Sequence, residues 1–374
     1  MAVPAAHAEA TGAIMDTRVR PFRIDIPQAE LDDLNDRLAR TRWPRQLPGE
    51  GADRGVPVAE VRELAAYWRT AYDWRIHERR LNAFPQYLTT IDGLDLHFLH
   101  VRSPRPDAVP LLLSHGWPNS VVEFTRLIGP LTERGFHVVA PSVPGFAFSE
   151  GPRETGFGVD RVARMWAGLM SRLGYDRYGT QGGDLGAYLA PAVARVAPAH
   201  VIGVHINGGF GFPTEKDLPE LTSDERALYD MIQQWSRGGV DHHTLLRHTP
   251  QTFAYGWHDS PVAQLAWMMQ KFRDFGVQGM DRDLFLTNVT LYWLTGTSGT
   301  SSWFMYERDE FTWPEGQRQV PTGVYCGPPA VRRLAERDNL IVHWPESNPG
   351  HHFVGMDEPE TLAADIRTFF DKIL

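Results

Sequence analysis

Three short stretches of this chain hold residue types that could do chemistry together. Gly182-Gly183-Asp184-Leu185-Gly186 sets an acidic residue among glycines, after RYGTQ and before AYLAPAVARV, which reads as a helix. A nucleophile flanked by small residues between a strand and a helix is the pattern of a nucleophile elbow, a sharp turn that leaves the central side chain exposed. Here that residue is a carboxylate. A carboxylate attacks alkyl carbon, as in an epoxide or an alkyl halide, and forms an alkyl ester. It suits cleavage of amides or esters poorly. Taken alone, Asp184 reads equally well as a cap for the following helix. The second stretch, His115-Gly116-Trp117-Pro118, ends the apolar run VPLLLS. The backbone N–H groups of Trp117 and Leu185 are candidates for an oxyanion hole. The third, Asn348-Pro349-Gly350-His351-His352-Phe353, follows LIVHWPE late in the chain. His352 there would activate water to split an ester on Asp184, with His351 as the alternative base.

Such a site needs a scaffold that gathers residues 115, 184 and 352. From Tyr87, YLTTIDGLDLHFLHVRS alternates like paired antiparallel strands turning at Asp92-Gly93. VPLLLSHGWP and FHVVAPSVPGF are short apolar runs ending in turns, and VIGVHING reads as a further strand. Helical patterns over residues 121–134 and 159–173 lie between these runs. This alternation predicts an α/β fold, a mostly parallel sheet flanked by helices. From 213 to 317 the alternation gives way to a helix-rich insertion with many Trp, Met and Phe. GVYCGPP and LIVHWP restore strands before a last helix over 362–373. Ahead of the core, Pro27 suits a first helical turn. Leu31, Leu34 and Leu38 recur at helical spacing, and Trp43-Pro44 stops that helix. A second helical pattern covers 58–72. The expected organisation is a loosely ordered tail over 1–15, a meander over 16–90, core over 91–212, a helical cap over 213–317 and the rest of the core over 318–374.

Composition narrows the setting. The 374 residues carry a formal charge of −9, with 42% hydrophobic and 22% charged residues. That is ample core material, and the mild acidic excess argues against nucleic acid as a partner. The 12 Trp and 19 Phe suit either a pocket for a bulky apolar ligand or extra core packing. The single cysteine, Cys326, excludes an internal disulfide and metal sites built on several thiolates. Neither a secretion signal nor an apolar run of the roughly 20 residues needed to span a bilayer is present. A cytoplasmic protein without metal or cofactor is expected, and a homodimer is left open.

In this order the three stretches resemble the epoxide hydrolases of the microsomal and juvenile-hormone type. The resemblance runs from about Arg20 to the C-terminus and includes PFRIDIPQAELDDLNDRLARTRWP, SHGWP, PSVPGFAFS, QGGDLGAY, AYGWHDSPVAQLAW, LTNVTLYWLTGT and DEPETLAADIRTFF. The DIPQAELDDL…TRWP opening also looks like the epoxide hydrolases of bacterial enediyne pathways. The resemblance implies an α/β-hydrolase core with a helical cap and an N-terminal meander. It implies Asp184 as nucleophile and His352 as base. Tyr306, in SSWFMYE, would be the cap tyrosine that hydrogen-bonds the epoxide oxygen; a buried core phenol is its plainer reading. The partner implied is a small-molecule epoxide, and neither a nucleic acid nor a membrane.

Two departures stand out. The family has a second cap tyrosine shortly before the Pro-Gln-Thr segment, where this chain reads VDHHTLLRHTPQT. His242 or His243 falls near that place and could donate the same hydrogen bond when protonated. Tyr255 is a weaker substitute, and His115 and Trp257 complete the candidate substrate contacts. Second, the charge-relay acid is missing. Ala330 occupies the expected place in VPTGVYCGPPA, and the other position used in this fold is Asn207 in HINGG. Glu336 and Asp338 look like solvated residues of a helix and its end. Without a carboxylate to orient the imidazole, water activation should suffer more than attack by Asp184. Three outcomes follow: hydrolysis to a vicinal diol, opening by a nucleophile within the substrate, or binding without turnover. A haloalkane dehalogenase is disfavoured by Tyr306 and the cap segments.

Overall fold

The computed structural model describes residues 18–238, 242–277, 279, 281–307, 312–325, 327–345 and 352–374. The expected N-terminal tail, Cys326 and the alternative base His351 lie outside them.

Among the described residues, nine strands form one sheet: β1 (Arg20–Phe22), β2 (Gln86–Ile91), β3 (Leu94–Val101), β4 (Val109–Ser114), β5 (Phe136–Pro141), β6 (Tyr178–Gly183), β7 (Val201–Asn207), β8 (Pro321–Tyr325) and β9 (Leu340–His343). Their order is β1-β2-β3-β5-β4-β6-β7-β8-β9. Pairing is antiparallel from β1 to β5 and parallel from β5 to β9. Asp92 and Gly93 both take positive φ, 51° and 78°, which matches the twist of a tight hairpin between β2 and β3. Leu111, Leu112 and Leu113 of β4 are all fully buried, the signature of a strand covered on both faces. The leading segment is more than a wrapper, because β1 joins the sheet as its edge strand.

Helices α1 (Gln28–Ala39), α2 (Val58–Thr70) and α3 (Trp74–Leu81) precede the hairpin. Leu31, Leu34 and Leu38 are the buried face of α1, and Asp73 caps α3 by accepting from the Arg75 amide. The expected helix over 121–134 is broken in two. Ser120 caps a 3-10 turn, Val121–Phe124, and α4 (Ile128–Glu133) follows. Pro130 favours the break: it lacks an N–H and its ring obstructs the preceding turn at residue 126, so the helix begins just before it. The core adds α5 (Val159–Arg172) and α6 (Leu185–Val196).

The cap runs through α7 (Ser223–Gly238), α8 (His242–His248), α9 (Pro250–Asp259), α10 (Pro261–Asp274), α11 (Arg282–Thr295) and α12 (Trp303–Tyr306). The core closes with α13 (Arg332–Ala335), α14 (Val354–Asp357) and α15 (Pro359–Asp371). No helix of the described residues is long and apolar enough to cross a membrane. The leading helices brace the cap: the Tyr67 hydroxyl donates to Asp283, Arg273 pairs with Glu60, and Arg37 reaches Asp259. The parallel strands end together, so the turns after β4, β6 and β7 converge beneath the cap.

Candidate active site

Asp184 sits between β6 and α6 with φ 54° and ψ −120°, a conformation rare for a residue with a side chain. Tight packing allows the turn only with glycines beside it. A Cβ at Gly186 would lie 2.0 Å from the Ser114 carbonyl oxygen, and one at Gly116 would lie 2.7 Å from Asp184 Cβ. Both are too close for any side chain. The two sequence motifs therefore interlock: glycine in each lets the loop after β4 touch the elbow.

The carboxylate is held asymmetrically. Oδ1 accepts from the Trp117 amide at 2.8 Å and the Leu185 amide at 2.6 Å. Oδ2 faces His352 Nε2 at 2.8 Å. Burial alone would push this carboxyl up. The His352 bond and the two amides outweigh it, so Asp184 lies below the usual carboxylate range and is ionised. Here 18% of the Asp184 side chain and 31% of the His352 side chain stay accessible.

Aromatic rings surround the pair. Phe275, the C-cap of α10, stacks on the His352 ring at 4.3 Å and 13°. His242 of α8 stacks on Trp117 at 5.2 Å and 16°, and Trp267 meets Trp117 edge-on. Among the described residues, the carboxylate on the His352 ring is that of Asp184. Ala330 lies in a 3-10 turn after β8. Asn207 closes β7, accepts from Gln181 Nε2, and its own Nδ2 donates to the His352 carbonyl at 3.4 Å. Glu336 pairs with Arg332 in solvent.

Several expected contacts fall elsewhere. His115 does not face a ligand. It is fully buried, with Nδ1 donating to the Gly116 carbonyl and Nε2 accepting from the Val143 amide. Burial lowers its pKa to about 4, so it is a neutral pin for the loop. Tyr255 is 73% exposed on the outer side of α9 and is no pocket residue, because an amphipathic helix turns only one face inward. Trp257 is buried one ring behind the site, packed on Trp267 at 5.3 Å. His242 is placed as expected but not in the expected form: burial, reinforced by nearby His243, holds it well below its ordinary value. A neutral ring still presents one N–H. Tyr306 ends α12, which packs on α8. Burial pushes its phenol up to about 12, so it keeps its proton, and no described residue hydrogen-bonds the hydroxyl.

Some residues escaped the sequence. Glu123 is buried behind the loop and accepts from the Gly116 amide at 3.0 Å. Burial raises it to about 8, so near neutrality it is mostly protonated. Nothing in its local sequence marks it, since it lies in an ordinary helical run. Phe275 had no signal beyond its aromatic ring.

A parallel sheet, a carboxylate at the elbow, an imidazole from the last loop and a helical cap define an α/β-hydrolase. Residues 19–124 match the family model "Epoxide hydrolase N terminus", and residues 109–295 match "alpha/beta hydrolase fold". A Stigmatella aurantiaca protein named as a candidate epoxide hydrolase is 38% identical over 95% of this chain and 85% of its own. Epoxide hydrolase 1 of Sus scrofa is 31% identical over 96% of this chain and 89% of its own. The crystal structure of juvenile hormone epoxide hydrolase from the silkworm Bombyx mori superposes with a TM-score of 0.87 at 28% identity, covering 96% of this chain and 95% of that one. The chain belongs to the epoxide hydrolase family of the microsomal and juvenile-hormone type.

Proposed function

We propose that the protein converts a bulky apolar epoxide to a vicinal diol through an ester on Asp184. One observation carries this reading: Oδ1 lies between two amides while Oδ2 faces the base. Oδ2 is then the attacking atom. It bonds to an epoxide carbon as the carbon–oxygen bond breaks, and the released alkoxide takes the Tyr306 proton. His352 next removes a proton from water, and the hydroxide adds to the carboxyl carbon. Negative charge develops on Oδ1, where the Trp117 and Leu185 amides already point. The bond from that carbon to Oδ2 breaks, the diol oxygen takes the proton from His352, and the proton left on the Asp184 carboxyl passes through water to the Tyr306 phenolate, restoring both groups. The neutral His242 N–H is a second donor to the opening oxygen.

The aromatic tier of Trp117, His242, Trp267 and Phe275 suits a large flat substrate, and a secondary metabolite of the enediyne kind fits it. A second reading, opening by a nucleophile within the substrate, is favoured by one observation. Ala330 and Asn207 stand where a relay acid would support water activation.

Heavy-oxygen water separates the readings. In a single turnover, hydrolysis through the ester puts the label into Asp184 and leaves the first diol unlabelled. Label in that first diol would mean direct attack by water. A product with no added oxygen would support internal opening.

A further inference from the structure

Four consecutive residues of the loop after β4 are gripped by the cap. The Trp117 indole N–H donates to Ser301 Oγ at 3.3 Å. The Pro118 carbonyl accepts from Asn288 Nδ2 at 2.7 Å, and the Asn119 carbonyl accepts from the Tyr292 hydroxyl at 2.6 Å. The Ser120 hydroxyl donates to Asn288 Oδ1 at 2.7 Å. Asn288 and Tyr292 stand four residues apart on α11, hence on one face of it. Ser120, Asn288, Tyr292 and Ser301 are all buried.

These contacts do more than fill space. Asn288 spends its donor and its acceptor on the same loop, and Tyr292 spends its hydroxyl there. The loop's own bonds lie at its far end, where the Asn119 side chain accepts from the Ser120 amide and Ser120 caps the turn that follows. Pro118 has no N–H, and the Pro118 and Asn119 carbonyls point away from the sheet toward α11. From the core side the loop is held through Gly116, whose amide bonds Glu123 and whose carbonyl bonds His115, and through Asn119, whose Nδ2 donates to Met356 Sδ at 3.0 Å. The Trp117 amide lies between these two sets of anchors, and it is the donor to Asp184 Oδ1.

We propose that Asn288 and Tyr292 are positioning residues for the Trp117 amide, so that the cap helix sets the donor geometry at Asp184. The inference rests on the role given to that amide under the proposed function. It has a mechanical corollary. Lifting α11 would strand two buried carbonyls and a hydroxyl, so chemistry requires a seated cap, and substrate must pass without α11 leaving the loop.

The test uses the full chain with Tyr292→Phe, which removes one hydroxyl, and Asn288→Ala, which removes both arms. Amide hydrogen exchange is read along the chain, and rapid-quench mass spectrometry follows the formation and hydrolysis of the ester on Asp184 with styrene oxide. In Tyr292→Phe the amides of residues 116, 117, 119 and 120 should exchange faster while those of β6 and α6 do not change. Hydrolysis of the ester should slow about tenfold, so that the ester accumulates, less than the roughly hundredfold or more for deleting an oxyanion donor outright. Asn288→Ala should show the same pattern, larger. Unchanged exchange at 116–120, or a uniform rise across the chain with ester rates falling only as fold is lost, would overturn the proposal. If the wild-type chain forms no ester, the proposed function is what fails, and the exchange measurement alone decides whether α11 orders the loop.

Discussion

Two clusters in this molecule join a carboxylate to histidine at nearly the same distance. Asp184 meets His352 Nε2 at 2.8 Å. Asp365 of α15 meets His205 of β7 at 2.9 Å and His343 of β9 at 2.8 Å. Contact chemistry therefore does not separate a reactive pair from a structural one, but the surroundings do. Asp365 sits against the sheet beside Phe369, with side-chain exposures of 11% for Asp365, 0% for His205 and 6% for His343. Lys372 Nζ lies 2.8 Å from His343 Nδ1. An ammonium only donates, so that nitrogen accepts and the ring passes its other N–H to Asp365. The charge on Asp365 is thus met by ring N–H groups of two histidines, and no face is open to a ligand. Asp184 instead has two backbone amides on one oxygen, no cation locked to the other, and an accessible side chain. Its backbone is held at positive φ. A carboxylate becomes a usable nucleophile by being fixed, ionised and reachable at once.

The contrast can be broken at either end. Asp184→Asn should lower diol formation by about ten-thousandfold or more, the scale for losing a nucleophile, and near-normal turnover would remove Asp184 from the chemistry. Tyr306→Phe should lower kcat/KM by about 10- to 100-fold, mostly in kcat, because its hydrogen bond strengthens as charge develops on the epoxide oxygen. A change confined to KM would assign the tyrosine to packing. Asp365→Asn should act on stability and spare kcat. Burial pushes the Asp365 carboxyl up, but the two histidine bonds outweigh this and hold it at about 2. A depressed value contributes stability above the unfolded carboxyl range that is lost as pH falls through about 2. Allowing for partial solvent screening, the variant should lose about 1–2 kcal/mol at pH 7 and lack that acid slope. A matching fall in kcat would show that this cluster serves the reaction.

Glu123→Gln gives the smallest effect, and its sign is opposite. The raised value of about 8 means stability present below the unfolded carboxyl range and lost as pH rises through 8. The urea midpoint of the wild-type chain should fall from pH 5 to pH 9 relative to the variant, and parallel midpoints would show that Glu123 does not titrate there.

What could be read in the chain was local. The elbow glycines, the run before His115 and the leucines of α1 each announce a conformation within a few residues. The sheet class followed from alternating runs. What could not be read depended on distant neighbours or on degree of burial. The helix expected over 121–134 broke because Pro130 outweighed the apolar pattern. His115 and Tyr255 carry suitable groups, yet one is sealed between its neighbour's carbonyl and the distant Val143 amide and the other faces solvent. The second carboxylate–histidine cluster gave no warning, since His205, His343 and Asp365 share no motif.

By itself the sequence determined where the chain turns, because glycine opens dihedral angles closed to other residues and proline fixes its own φ wherever they stand. It also determined which residue occupies the elbow. Only the tertiary structure decided which polar groups are paired, neutral or open, because these depend on groups brought together across long stretches of chain. Asn288 meets Pro118 and His352 meets Asp184 through such folding alone. Desolvation then sets the charge each group can carry.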